Sequence, residues 1–262
     1  MSYSRRHLLG LSILLLSIAS ISSCRAQGSS PARGLPSGGR ISWKCSTAQS
    51  QWMDKPDVAL SNKVGAPTMR RDLVMVDSKR RQQVVDGWGG CFNERGQKAM
   101  EVLFPAARNE LMRSLFDAKM GLKLNMGRTP IGASDYATTL YSLNETPGDY
   151  SMKNFSIERD KQLLIPFIKA ALAIRPDMKM WAVPWSPPSW MKDNNSLVSG
   201  HIKDDAQTLD ALALYFARYV QAYKGQGIDI GMVMPQNEPN MATNYTSCLW
   251  TGEQFAKFVG YH

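Results

Sequence analysis

Histidine and cysteine are scarce in this chain of 262 residues, with three His and four Cys. His7, His201 and His262 stand far apart, which argues against a histidine metal site. Four cysteines are too few for a disulfide scaffold. The longest mainly apolar run, Leu8 to Ile21, has 14 residues, short of the roughly 20 that a helix needs to span a bilayer. No phosphate-binding loop is present, and no Gly-x-Gly-x-x-Gly follows a strand. Gly87, Gly89 and Gly90 have the wrong spacing, with Phe92 where the third glycine is needed. These absences disfavour a doubly wound nucleotide-binding sheet, and no cofactor or metal is expected. A basic face is missing as well. The formal charge is +9, yet residues 82–262 hold 18 basic and 18 acidic residues; the excess lies in Arg5, Arg6 and residues 24–81, with 11 basic against 4 acidic. A nucleic-acid face would cluster Lys and Arg beside aromatics on a folded element, so no nucleic-acid partner is expected.

What is there is a globular composition, 44% hydrophobic and 20% charged. Residues 1–24 read as an export signal: a positive start at Arg5 and Arg6, an apolar stretch, then Ile21-Ser22-Ser23-Cys24, which resembles a bacterial lipobox. Cys24 is the candidate lipidation site, and contact with a membrane is expected only through that anchor; secretion with cleavage after Ala26 is the alternative. Residues 25–40, rich in Gly, Ser and Pro, read as a flexible tether. Residues 41–81 read as an N-terminal β segment, with Trp43, Trp52 and Leu73 to Val76 suggesting short strands. Cys45, Cys91 and Cys248 read as small buried hydrophobes. Four Asn-x-Ser/Thr triplets, at Asn144, Asn154, Asn194 and Asn244, matter only in a eukaryotic secretory route.

Residues 82–262 alternate between strand and helix periodicity. Strands are expected over Val84 to Phe92, Leu122 to Arg128, Met178 to Trp185 and Ile228 to Met234. A helix opens at Pro105 and ends at Gly121; a second carries Leu163 to Leu172, kinked or restarted at Pro166. The clearest helix carries Leu209 to Tyr223 and stops at Gly225 and Gly227, and Thr251 with Gln254 forms a capping box before Phe255, Phe258 and Val259. Four strand–helix units in a row imply an α/β fold with a parallel sheet. A (β/α)₈ TIM barrel is the architecture left, with these four units as its first half and its chemistry at the C-terminal strand ends.

Those ends carry Asn93 and Glu94, then Arg128 with Asp135 in its loop, then Trp185 and Trp190, then Asn237 and Glu238 before Pro239. Acids, an arginine, an amide and tryptophans at four successive ends describe a sugar pocket, because indole faces stack on sugar C–H faces while carboxylates and amides hold hydroxyls.

The segments GWGGCFNE (87–94), NMGRTPIGASDYA (125–137), DYSMKNFSI (149–157), VPWSPPSWMK (183–192) and MPQNEP (234–239) resemble glycoside hydrolase family 30, which includes glucosylceramidases and β-1,6-glucanases. The resemblance implies a retaining β-glycosidase acting on a β-glucan or a glucosyl lipid. It implies that Glu238 is the acid/base, that Asn237 bonds the sugar 2-hydroxyl and that Trp185 lines the sugar subsite. Glu94 falls where glucosylceramidases bind sugar hydroxyls through an Asp. Arg128 matches an arginine that orients carboxylates beneath the site. Asp135 and Trp190 complete the candidate substrate contacts, each with a competing structural reading: backbone bonding for Asp135, core packing for Trp190. The family's nucleophile is a Glu at the end of strand seven, to which no residue here corresponds, and its first segment joins a side β-domain, expected here of residues 41–81. An inactive fragment or a non-catalytic sugar-binding protein is the alternative reading.

Overall fold

The computed structural model describes residues 39–60, 77 and 79–262. The export signal, Cys24, most of the tether and the run Leu73 to Val76 lie outside the described residues. The chain divides into two compact units, residues 1–81 and 82–262.

In the first unit, β1 (Arg40–Cys45) and β2 (Met53–Ala59) form an antiparallel ribbon with an irregularity between Ile41 and Trp43. Trp43 lies in β1, opposite Lys55, and its indole N–H donates to the Pro56 carbonyl at 3.1 Å. Trp52 falls in the turn, with φ at 56°, so only one of the two tryptophans marks a strand. Cross-strand pairs Lys44–Asp54 at 2.5 Å and Arg40–Asp57 at 3.3 Å are exposed and add little stability.

In the second unit, β3 (Gly89–Cys91), β4 (Met126–Pro130), β5 (Lys179–Val183) and β6 (Ile230–Val233) form a parallel sheet in that order. Gly127, Met180 and Ile230 are buried neighbours in register, whereas Arg128, Trp181 and Met232 in the next row keep some exposure. This two-residue period assigns one row to the helix-packed face and the other to the opposite face. Gly127 is needed on the packed face: a Cβ there would come within 2.5 Å of Met180 Sδ and 2.6 Å of the Phe92 ring. Helices α1 (Glu94–Glu101), α2 (Pro105–Phe116), α3 (Leu164–Ile174), α4 (Ala206–Gly225) and α5 (Gly252–Tyr261) complete the unit. The core is built by Ile165, Ile168, Leu209, Leu212, Tyr215 and Tyr219, all buried, together with Phe92 and Met180. Among the described residues no helix is long and apolar enough to cross a membrane.

Several boundaries differ from expectation. The strand expected at 84–92 contracts to three residues, and α1, not anticipated, follows it at once. The N-cap Asn93 starts α1, its Oδ1 accepting from Gly96 N at 2.7 Å. Helix α2 begins at Pro105 but stops at Phe116, because Asp117 Oδ1 accepts from the backbone N–H of Lys119 at 2.7 Å and Met120 at 3.0 Å and turns the chain before Gly121. The second strand starts at Met126; Leu122 is exposed. Pro166 is the third residue of α3, where the backbone N–H has no helical partner to lose, so it neither kinks nor restarts the helix. The Thr251–Gln254 capping box forms and Phe258 is buried, but Val259 faces outward. Of the three later cysteines only Cys248 is buried; Cys45 is half-buried, Cys91 is exposed, and none is paired among the described residues.

Candidate active site

The end of β6 runs on past Val233 as an extended edge: Met234 N donates to Ala182 O and Asn237 N to Pro184 O, both at 2.9 Å. This brings the polar end of β6 level with that of β5. From β4, Arg128 Nη2 donates to Asn237 Oδ1 at 2.5 Å. Its guanidinium lies 4.3 Å from the Trp185 ring centre and 5.2 Å from that of Trp181, a sandwich contributing about 1 kcal/mol per contact. Arg128 Nε is buried without a hydrogen-bond partner among the described residues. Since Asn237 Oδ1 faces the guanidinium, its NH2 group faces the other way and donates to Glu238 Oε2 at 3.2 Å. Glu238 is exposed and adopts φ of 45°, a left-handed conformation that costs a non-glycine residue about 1–2 kcal/mol. Strain of this kind gathers at functional sites. Arg128, Trp185, Asn237 and Glu238, predicted from separate segments, thus form one connected group.

Three other candidates lie outside that group. Glu94, expected to hold sugar hydroxyls, is 2% exposed. Its Oε1 accepts from Arg159 Nε at 2.9 Å; its Oε2 accepts from Arg159 Nη2 at 3.0 Å and from the backbone N–H and hydroxyl of Thr138, both at 2.7 Å. Burial works against the ionised form, but these donors and the Arg159 charge hold the carboxyl below its usual range. In this structure Glu94 thus anchors the loop after β4 instead of opening onto the group around Glu238. Trp190 is likewise buried, donating its indole N–H to Asn144 O at 3.0 Å and meeting Tyr150 edge-on at 5.2 Å; it packs rather than presenting a face. Asp135 is exposed and forms no side-chain hydrogen bond among the described residues, so the backbone bond expected of it does not form. Trp185 is 5% exposed, and Arg128 occupies one face of its ring.

Sequence reading missed several supporting residues. Arg159 covers the Tyr141 ring at 4.1 Å as well as gripping Glu94. Asp160 is fully buried and accepts from Tyr141 OH at 2.9 Å and Tyr223 OH at 2.8 Å; burial pushes its pKa up to about 6. Lys192 is fully buried, donating to Ser247 O at 2.6 Å and Ser186 Oγ at 3.1 Å; burial lowers its pKa to about 8. Asn144, the first glycosylation triplet, is buried, its amide donating to Asp149 Oδ2 at 3.0 Å and to Met152 sulfur at 3.3 Å. Within the sequence no local pattern marks any of these residues.

The model of the glycosyl hydrolase family 30 TIM-barrel domain matches residues 85–260. The lysosomal acid glucosylceramidase of Mus musculus is 31% identical over 189 residues, covering 70% of this chain and 35% of that protein. The endo-1,6-β-D-glucanase of Neurospora crassa is 29% identical over 164 residues, covering 61% and 34%. Among solved structures, the endo-β-1,6-glucanase BT3312 superposes with a TM-score of 0.65 at 31% identity, covering 70% of this chain and 41% of that one. The chain spans about a third of the length of the curated relatives it matches.

Proposed function

The chain belongs to glycoside hydrolase family 30, and from that premise we propose that it carries the acid/base half of a retaining β-glycosidase. Glu238 in its acid form donates a proton to the oxygen of the departing group; as a carboxylate it later takes one from the water that frees the sugar. The Asn237 amide, turned by Arg128 so that its NH2 group lies on the Glu238 side, donates to the sugar hydroxyl beside the reacting carbon. Trp185 forms a wall of the sugar subsite. Asp135, exposed in the loop after β4, is free to meet a hydroxyl. The observation that carries this reading is an exposed carboxylate at a strand end, strained at φ of 45°, beside an amide whose orientation an arginine fixes.

Retention of configuration needs a second, ionised carboxylate about 5–5.5 Å from the first. Glu94 is taken up by Arg159 and Thr138, and Asp160 by two tyrosines. By resemblance to family 30, whose nucleophile is a Glu at the end of strand seven, we assign this role to a residue outside the matched segment 85–260. The substrate is a β-glucan or a glucosyl lipid, in keeping with what the names of the two curated relatives say of those proteins; chromatography of products from pustulan and from glucosylceramide separates the two. Residues 41–81 as part of a side β-domain, export, and a lipid on Cys24 belong to the same proposal.

In the complete gene product, Glu238→Gln is expected to keep the fold and to lower hydrolysis of an unactivated disaccharide by about 100-fold or more. Activated aryl glucosides, which need little protonation, still form the glycosyl-enzyme, and added azide speeds its breakdown. Wild-type rates on the disaccharide would sink the assignment.

A further inference from the structure

Gln236 joins two strand ends and a helix approach, and the reading above leaves it without a role. Its side chain is buried. Nε2 donates to Trp185 O at 2.7 Å and to Asn237 O at 2.8 Å, and Oε1 accepts from Trp250 Nε1 at 3.3 Å. Two carbonyl oxygens require the NH2 group and an indole N–H requires the carbonyl, so a single orientation of this amide satisfies all three partners.

We propose that Gln236 is a positioning residue for Glu238, acting through the Asn237–Glu238 peptide, with Trp250 as its support. The inference rests on the acid/base reading of Glu238. The φ angle of Glu238 relates its side chain to the peptide plane that carries the Asn237 carbonyl. Relaxing φ from 45° to a negative value turns that plane and pulls the carbonyl away from Gln236. The bond at 2.8 Å resists the turn, because the same NH2 group is fastened to Trp185 at the end of the neighbouring strand. On the other side of Glu238, Trp250 N donates to Pro239 O at 2.8 Å. The Trp250 ring is buried against Phe255 and Phe258, with centres 5.5 and 5.6 Å away, so both fastenings are rigid. Among the described residues the Glu238 side chain itself has one restraint, Asn237 Nδ2 at 3.2 Å. Backbone support must therefore set where its proton is delivered, and displacement by about 1 Å costs on the order of 100-fold in rate.

A residue that merely maintains the fold harms every substrate when lost. One that aims an acid harms those substrates whose leaving group needs a proton. The test compares the complete gene product with Gln236→Met, which keeps side-chain length and loses all three bonds. Its readouts are hydrolysis of gentiobiose, glycosyl-enzyme formation from a dinitrophenyl β-glucoside, and a melt followed by near-UV circular dichroism. The expected result is a loss above about tenfold on gentiobiose with the dinitrophenyl reaction within about threefold of wild type. Equal losses on both substrates, or no loss on gentiobiose, overturn the proposal. Should Gln236→Met fail to melt cooperatively, Trp250→Phe decides, since it keeps an aromatic ring and removes the bond to Gln236. A loss confined to gentiobiose upholds the proposal; equal losses or wild-type rates overturn it. Glu238→Gln in the same assay separates the two readings. If that variant retains gentiobiose hydrolysis, the acid/base assignment has failed and the positioning inference with it. If it loses that activity while Gln236→Met keeps it, the positioning inference alone has failed.

Discussion

A carboxyl sealed between two phenols gives this molecule a response to mild acid. Asp160 accepts from Tyr141 and Tyr223, with Tyr219, Glu94 and Arg159 close by. Its pKa of about 6 lies above the ordinary carboxylate value of about 3.9, so the folded state holds the proton more tightly than the unfolded chain. The stabilisation this provides is complete below about pH 4 and is lost as pH rises through about 6. Asn at this position does not titrate. Wild-type stability relative to Asp160→Asn is therefore expected to fall between pH 4 and 7, by at most about 1.4 kcal/mol per pH unit, in urea titrations at a series of pH values. A difference that stays flat would contradict the assignment. Glu94 acts in the opposite sense: its lowered pKa contributes stability above its ordinary value, and this is lost on acidification. At this scale the sequence was legible where the groups share a short local motif, as with Asn237 and Glu238, whose side chains meet at 3.2 Å. It was opaque where a role depends on a distant partner. Asp160 and Tyr223 are 63 residues apart, and Arg159 and Glu94 are 65 apart. No periodicity announces such pairs, and a buried acid looks in sequence like an exposed one.

Among the elements, strands were found in the right order, but their ends were misjudged by a few residues. Apolar alternation runs beyond the ladder, as at Leu122, which is exposed and precedes the first paired residue of β4. Helix α1 escaped because Met100 is its one buried apolar residue, which leaves no stripe to read. What starts it is the cap: Asn93 Oδ1 on Gly96 N. Asn93→Ala is expected to cost about 1 kcal/mol, seen as a lower urea midpoint with an unchanged slope. Because Glu94 is the first residue of this helix, the cap also fixes where the Arg159 and Thr138 bonds begin. An unchanged midpoint would show that those bonds hold the turn without it.

For the whole molecule, the parallel α/β architecture followed from alternation, while the ties between successive strand-end excursions did not. Isolated bridges join Lys192 with Ile202, Val198 with Thr246 and His201 with Leu249. Lys192 itself reaches Ser247 O from the excursion after β5 to the one after β6. Its pKa of about 8 is depressed by burial, against about 10.4 in an unfolded chain. Between those values the unfolded state binds more protons, so this group adds stability as pH rises. Wild-type stability relative to Lys192→Met is expected to climb from pH 8 to 9, by no more than about 1.4 kcal/mol. Denaturant melts at the two pH values check it; a falling or constant difference would be evidence that the ammonium is solvated.

The buried amide of Asn144 bears on the choice of host in which the protein is made. In a eukaryotic secretory pathway, sugar is attached to Asn-x-Thr as the chain emerges, before it folds. A glycan on Asn144 would then occupy the place of Asp149 and Met152, and the modified chains could not complete the loop after β4. Asn154, Asn194 and Asn244, exposed in the same unit, tolerate the addition. Yeast-secreted material is thus expected to carry glycans at those three sites and none at Asn144, by peptide mass mapping, with chains modified at Asn144 retained inside the cell. Glycan on Asn144 in folded, secreted protein would show that this side chain is accessible after all.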